Sequence, residues 1–344
     1  MLSYAGLIEE KNGLKYPLPG DLKAAWQKEW YHFCIVGPGF DLLVNLNVSA
    51  DNRPAASAGS RAARVVMMAH DKGWSGDVEP VDSRFVTLVP GEVAMRLGQS
   101  ELFFRDDRFE LTAALQSSPM VIHASLEPLC TPLGIMHEVD VGEGGIGWFV
   151  IPRLAVTGRA VIGDCIHSLE GTTAYHDHNW GHWLWGQDFS WEWGFGHLSD
   201  LETPWTVVFD RTLNRARTRV LESTLALWRG ESLFRIFSRH EINVRPTGYS
   251  TPSRLFRIPR PLAMAVPQLG RDVPRGFEVS ARAGADQVSL LFATSSEAQI
   301  LVPNETDLES TIITEVLGRI EISGEVRGCS LAATGRSVFE FLST

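Results

Sequence analysis

Cysteine is scarce in this chain. The four that occur in 344 residues, Cys34, Cys130, Cys165 and Cys329, stand far apart, with no CxxC pair and no zinc-type spacing. A disulfide framework is therefore not expected, and the cysteines read as reduced core residues. The opening MLSYAGLIEEKNG has no basic stretch leading into an apolar one, so no secretion signal is read there and the cytoplasm is the expected compartment. No apolar run approaches the roughly 18 to 20 residues a spanning helix needs, which leaves a soluble protein with at most peripheral membrane contact. Concentrated positive charge is also missing. The net charge is −10, and the 31 lysines and arginines are scattered apart from Arg211 to Arg219 and Arg254 to Arg260, so no nucleic-acid partner is expected. There is no GxSxG elbow, no P-loop and no dinucleotide fingerprint.

What the chain does have is β pattern. Its length suggests two domains, placed at 1–182 and 183–344, with the boundary in the stretch from Trp180 to Asp188. One early helix is expected over Asp21 to Trp30, with Asp21 as N-cap. The rest reads as about twenty short strands rich in Val, Ile, Phe, Thr and Trp. Among them are Tyr31 to Val36, Leu42 to Val48, Phe109 to Leu115, Trp148 to Ile151, Leu154 to Ile162, Ser190 to Leu198 and Ser337 to Phe341. With no long helices to make parallel crossovers, this implies an all-β protein of antiparallel sandwiches or barrels. Ala50 to Ala63 is the most loop-like stretch, a surface loop or a lid.

Tryptophan is over-represented locally. Of the 11 in the chain, Trp180, Trp183, Trp185, Trp191 and Trp193 fall within fourteen positions. On a strand, residues two apart share a face, so Phe189, Trp191, Trp193, Phe195 and His197 would form one aromatic wall, with Glu192 pointing the other way. Such a wall can be plain core, or it can hold an apolar polyene and shelter a carbocation. The same parity splits Tyr175 to Trp180 into Tyr175, Asp177 and Asn179 on one face and His176, His178 and Trp180 on the other. An Asp177 desolvated among rings would keep its proton at neutral pH and could act as a general acid. The alternative is an aspartate that hydrogen-bonds a turn. His176, His178 and His182 spell HxHxxxH, which could gather imidazoles around a metal. Without a visible fourth ligand, no metal is expected, and His176 and His178 are read as groups that orient and tune Asp177.

At these residues the sequence resembles the carotenoid 1,2-hydratase (hydroxyneurosporene synthase) and AttH-like family. The resemblance rests on AYHDHNWGHWLWGQ at Ala174 to Gln187. EWYHF at Glu29 to Phe33, WFVIPRLAVTG at Trp148 to Gly158 and GRSVFEFL at Gly335 to Leu342 support it. It implies two lipocalin-like domains with a ligand site in the cleft or barrel between them. It also implies that Tyr175 and Asp177 match a Tyr-x-Asp pair and that Trp148 lies on the strand that supplies an upstream tryptophan. The family pattern has a histidine two residues before that tryptophan, where this chain has Ile146. The implied chemistry is cofactor-free: protonation of an isoprenoid or polyene double bond, followed by hydration or cyclisation. Catalysis would fall to Asp177, Tyr175, His176 and His178, and the apolar substrate to Trp148, Trp180, Trp183, Trp185, Trp191 and Trp193. A lipocalin-like pericyclase of Diels-Alder type and a non-catalytic carrier of an apolar ligand stay open as alternatives. The substrate, the stereochemistry and the oligomeric state are not readable from the chain.

Overall fold

The computed structural model describes residues 4–15, 26–50, 61–198, 202–252, 254–267, 270 and 272–343. The chain divides into two compact units, Met1–Trp183 and Leu184–Thr344.

The first unit opens with helix α1 (Tyr4–Asn12), followed by β1 (Gln27–Gly37), β2 (Phe40–Ala50), β3 (Arg61–His70), β4 (Trp74–Val81), β5 (Val86–Leu88), β6 (Ala94–Leu97) and β7 (Ser100–Arg105). It continues with β8 (Arg108–Leu115), β9 (Met120–Pro128), β10 (Leu133–Val141), β11 (Gly144–Ile162), β12 (Cys165–Ser168) and β13 (Thr172–His182). These thirteen strands form one antiparallel sheet in the order β4-β3-β2-β1-β13-β11-β9-β8-β7-β6-β5, with β10 and β12 also paired to β11. The sheet curls until β3 packs against β6 and β8. There Glu79 of β4 accepts backbone N–H bonds from Gln116, at 2.6 Å, and Ser117, at 3.2 Å. Inward residues such as Phe33, Leu42, Val44, Phe109, Ile122 and Ile151 build the core. Each such side chain contributes about 1.5–3 kcal/mol on leaving water.

The second unit contains β14 (Phe189–Leu198), β15 (Trp205–Asn214), β16 (Val220–Arg229), β17 (Ser232–Ser238), β18 (Ile242–Pro246), β19 (Tyr249–Ser250) and β20 (Phe256–Ile258). After helix α2 (Arg260–Ala265) come β21 (Val273–Pro274), β22 (Gly276–Ala283), β23 (Asp286–Pro303), β24 (Ser310–Val326) and β25 (Cys329–Ser343). Its main sheet runs β17-β16-β15-β14-β25-β24-β23-β22-β18, with β20 added parallel to β23. Packing of β17 against β22 and of β16 against β18 rolls it up. The fold is all-β, as the strand spacing implies, and lipocalin-like, as the resemblance implies.

Burial distinguishes the middle of each sheet from its margins. In β8, inward residues are buried and outward ones are not, the alternation of a strand wetted on one side. In β14 all ten residues are buried, and in β1 all but one, so these strands are covered on both faces. Polar groups on their outward faces are thus removed from water.

Several sequence expectations need correction. Gln27 to Trp30 belong to β1 and not to an early helix, while residues 21–25 lie outside the described set. Pairing of β1 with both β2 and β13 outweighs the local capping signal. Residues 51–60 of the loop-like stretch also lie outside the described residues, and its flanks at Ala50 and Arg61 are strand ends. The segments Trp148 to Ile151 and Leu154 to Ile162 are one strand, β11, interrupted by a register shift between Ile151 and Leu154. Pro152, which has no N–H to donate, sits in that bulge. All four cysteines are free, but only Cys34 and Cys130 are buried; Cys165 is exposed and Cys329 half-buried.

Candidate active site

The segment Tyr175 to Trp180 lies in β13, between β1 and β11. Strand parity places alternate residues on opposite faces, and the two faces have different chemistry.

The inward face is a closed polar cluster within the barrel core. His176 lies 2.9 Å from the His32 carbonyl through Nδ1 and 3.0 Å from Asn12 Nδ2 through Nε2. A neutral ring that donates at Nδ1 and accepts at Nε2 satisfies both contacts. Burial pushes its pKa well below the ordinary histidine value. His178 Nε2 lies 2.6 Å from Glu29 Oε1, and burial lowers its pKa although Glu29 opposes the shift. The ring nitrogen donates this hydrogen bond to the carboxyl oxygen. Tyr31 stacks on both rings, 4.3 Å from His178 and 5.9 Å from His176, and its hydroxyl donates to the Asn12 carbonyl at 2.6 Å. Its pKa is raised well above the ordinary phenol value, by burial first and by Glu29 second. Glu29 Oε1 also accepts the Lys15 N–H at 2.8 Å. Trp180 stands beside His178, their ring centroids 4.9 Å apart.

The outward face of the same three strands carries Tyr175, Asp177 and Asn179 from β13. Beside them stand Trp30, His32 and Cys34 from β1 and Ile146, Trp148 and Val150 from β11. Register sets the neighbours: Asp177 lies between His32 and Val150, Asn179 between Trp30 and Trp148, and Tyr175 opposite Cys34. Cross-strand partners of this kind have Cβ atoms about 4.5–5.5 Å apart. Asp177 is 4 % exposed, and its Oδ1 accepts from Asn179 Nδ2 at 2.6 Å. Tyr175, Asn179 and Trp148 are likewise buried. Among the described residues, the buried Trp148 Nε1 has no hydrogen-bond partner. His32 Nε2 lies 3.0 Å from Cys34 Sγ, and burial takes its pKa down to about 4, so the ring is neutral at physiological pH. Trp183 packs edge-on to Trp30 at 5.3 Å, under the Lys28 ammonium 5.5 Å away.

His176 and His178 thus share the inward face with Trp180 and stand across the strand from Asp177. Sequence reading missed His32, Cys34 and Trp30, which β1 supplies from some 140 residues upstream. The EWYHF segment carries them, but only the strand register shows that His32 opposes Asp177.

Trp185, Trp191 and Trp193 belong to the second unit. Trp191, Trp193, Phe195 and His197 line one outward face of β14, with Trp193 and Phe195 5.8 Å apart and Phe195 and His197 5.0 Å apart. Glu192 points inward to Arg211 and Arg217. Trp185 lies tilted against Trp191, their ring centroids 5.8 Å apart. Unforeseen carboxyls share the tryptophan face: Trp193 has Asp210 opposite on β15 and Glu340 opposite on β25, and Glu340 in turn faces Glu315 on β24. Trp191 Nε1 donates to Glu340. Burial raises the Glu340 pKa against the hydrogen bonds from Glu315 and Trp191. Asp210 is raised well above the ordinary carboxyl value, by burial first and by Glu222 second, and its Oδ2 has no partner among the described residues. Lone acids inside apolar runs, as in VVFDRT and SVFEFL, were the available signal.

No protein-family model matches the sequence, and no curated protein matches it. Solved structures do. An AttH protein from Nitrosomonas europaea is 11% identical, with a TM-score of 0.60 over 96% of each chain. Kievitone hydratase from Nectria haematococca is 12% identical, with a TM-score of 0.59 over 96% of this chain and 95% of that one. CghA with Sch210972 is 12% identical, with a TM-score of 0.57 over 96% and 94%. At the level of fold, this chain is similar to these AttH-like, lipocalin-fold proteins.

Proposed function

We propose that this chain is a cofactor-independent enzyme that protonates a double bond of an isoprenoid or similar polyene, leading to hydration or cyclisation. The observation that carries the reading is Asp177, a carboxyl 4 % exposed on a face of tryptophan, tyrosine and amide groups. A carboxyl removed from water is best suited to deliver a proton to an uncharged alkene. In this reading the Asp177 proton passes to one alkene carbon, and the cation left on the other is sheltered by the Trp30 and Trp148 ring faces. Water adds to that carbon and gives up a proton to neutral His32, beside Asp177 on the neighbouring strand, so the net change is addition of water. In cyclisation a second double bond takes the place of water, and the new cation it leaves gives up a proton to His32; in both cases return of that proton to Asp177 resets the site. Asn179 orients the Asp177 carboxyl, and Tyr175 and the Trp148 N–H offer polar contacts to the substrate. His176 and His178 act from behind, by stiffening the strands that carry Asp177 and His32. A hydratase among the proteins of this fold supports the reaction class, and the CghA structure with Sch210972 supports a small organic molecule as the partner.

The test is incubation with a panel of linear isoprenoids and polyenes in deuterated water. Deuterium on carbon in the product, lost in Asp177→Asn while ligand binding persists, is the expected result. Product formed without carbon-bound deuterium would replace the proposal with a pericyclic closure. Ligand returned chemically unchanged would make the chain a carrier.

A further inference from the structure

The first unit brings together one more set of donor atoms, away from the face built around Asp177. Asp71 lies in the turn between β3 and β4, and Cys165 and His167 stand two residues apart on β12, so both project to one side of that strand. The Asp71 carboxylate, the Cys165 thiol and a ring nitrogen of His167 all lie within 4.8 Å of one another. The proposed chemistry uses none of them.

The three are held in place. Pairing of Cys165 with Ile162 and of His167 with Ala160 fixes β12 on β11. The Phe40 ring, 4.7 Å from the His167 ring, restricts the imidazole. The Lys72 backbone N–H donates to Asp71 Oδ1 and orients the carboxylate. An independent feature points to a ligand: His167 Nε2 is buried and, among the described residues, has no hydrogen-bond partner. An orphaned imidazole nitrogen destabilises the fold unless something occupies it.

We infer that Asp71, Cys165 and His167 form a binding site for a borderline divalent cation of the zinc class, which ties the β3–β4 turn to the β11–β12 hairpin. One sulfur, one nitrogen and one oxygen donor match the ligand preferences of zinc. Thiolate and carboxylate together neutralise the charge of the ion. With Zn–S about 2.3 Å and Zn–N or Zn–O about 2.0–2.2 Å, tetrahedral donors stand roughly 3.3–3.7 Å apart, which small side-chain rotations reach from the present spacing. The fourth position falls to water. Exposure of Cys165 gives the ion a way in, and binding replaces the thiol proton by the metal and releases that proton to solvent.

The experiment uses the full chain, stripped with chelator and titrated with Co2+. One equivalent should produce visible d–d bands and a near-ultraviolet thiolate-to-cobalt charge-transfer band, both displaced by Zn2+. Cys165→Ser should remove the charge-transfer band, and Asp71→Asn and His167→Ala should each weaken Co2+ binding at least tenfold, with circular dichroism unchanged. Cys329→Ser, at the other solvent-reachable thiol, should leave the spectrum intact. Absence of the band in the unmodified chain, its survival in Cys165→Ser, or indifference of binding to both the Asp71 and the His167 variants would each overturn the proposal. Should Cys165→Ser fail to fold, the Asp71 and His167 variants decide it alone.

Discussion

Acidification should destabilise this protein well above the pH at which its carboxylates protonate, and His32 sets the scale. In the unfolded chain its imidazole titrates near 6.5, whereas in the fold burial holds the pKa down to about 4. Because the folded value is the lower one, the unfolded chain takes up a proton first. The His32 contribution to stability is fully present above pH 6.5 and is lost as pH falls towards 4. At about 1.4 kcal/mol per unit, the window costs about 3 kcal/mol, a large share of the roughly 5–15 kcal/mol a domain possesses. His176 and His178, also lowered by burial, act in the same direction. Urea unfolding at half-unit steps from pH 7 to 4, followed by tryptophan fluorescence, measures the slope. In His32→Gln the slope between pH 6 and 4.5 should fall by about 1.4 kcal/mol per pH unit, the value for one proton. An identical slope in the variant and the parent would refute a neutral, buried His32. It would also remove the proton acceptor assigned to it, since a charged ring cannot accept a proton from water.

Asp210 should show the opposite sign. Its folded pKa is raised, so the folded state keeps a proton that the unfolded chain releases, and stability declines as pH rises from its ordinary value of 3.8. Asp210→Asn should therefore stabilise the protein more at pH 8 than at pH 5; equal shifts at both would contradict a buried neutral acid. Glu29→Ala leaves the Lys15 N–H and the His178 ring without their shared acceptor and should cost about 3 kcal/mol in urea unfolding; a change below about 1 kcal/mol would mean that the cluster rearranges. Gly147→Ala would put a Cβ 2.2 Å from Trp180 Cε2, so a loss of about 1–3 kcal/mol with altered near-ultraviolet circular dichroism is expected.

Much of this was legible because a strand has a fixed period of two. The alternation in YHDHNW separates Asp177 from His176 without any knowledge of the partner strands, and the Trp191-Trp193-Phe195-His197 wall follows from the same count. Pairing was not legible. Nothing local to EWYHF says that His32 stands opposite Asp177, because that neighbour relation arises from register between segments far apart in the chain. The Asp210, Glu315 and Glu340 group is spread over three strands and was missed for the same reason. Continuity was misread where a bulge interrupts a pattern, as at Pro152 in β11. The end of the expected early helix, Gln27 to Trp30, is strand because capping residues state only a local preference, which two-sided strand pairing of β1 overrode.

The inward histidines bear on the outward face through the backbone. His176 binds the carbonyl of His32, whose side chain projects to the opposite side beside Asp177. This bond and the His178–Glu29 bond fix β13 against β1 from inside the core, and Asn12 of α1 buttresses the first. A one-residue slip between β1 and β13 would turn every outward group inward, so register is the quantity the polar core protects. In the proposed chemistry His176 is therefore a positioning residue. Its replacement should disturb the distance between His32 and Asp177 before it alters either group, and should lower turnover more than substrate affinity if acid and base must act on one substrate together.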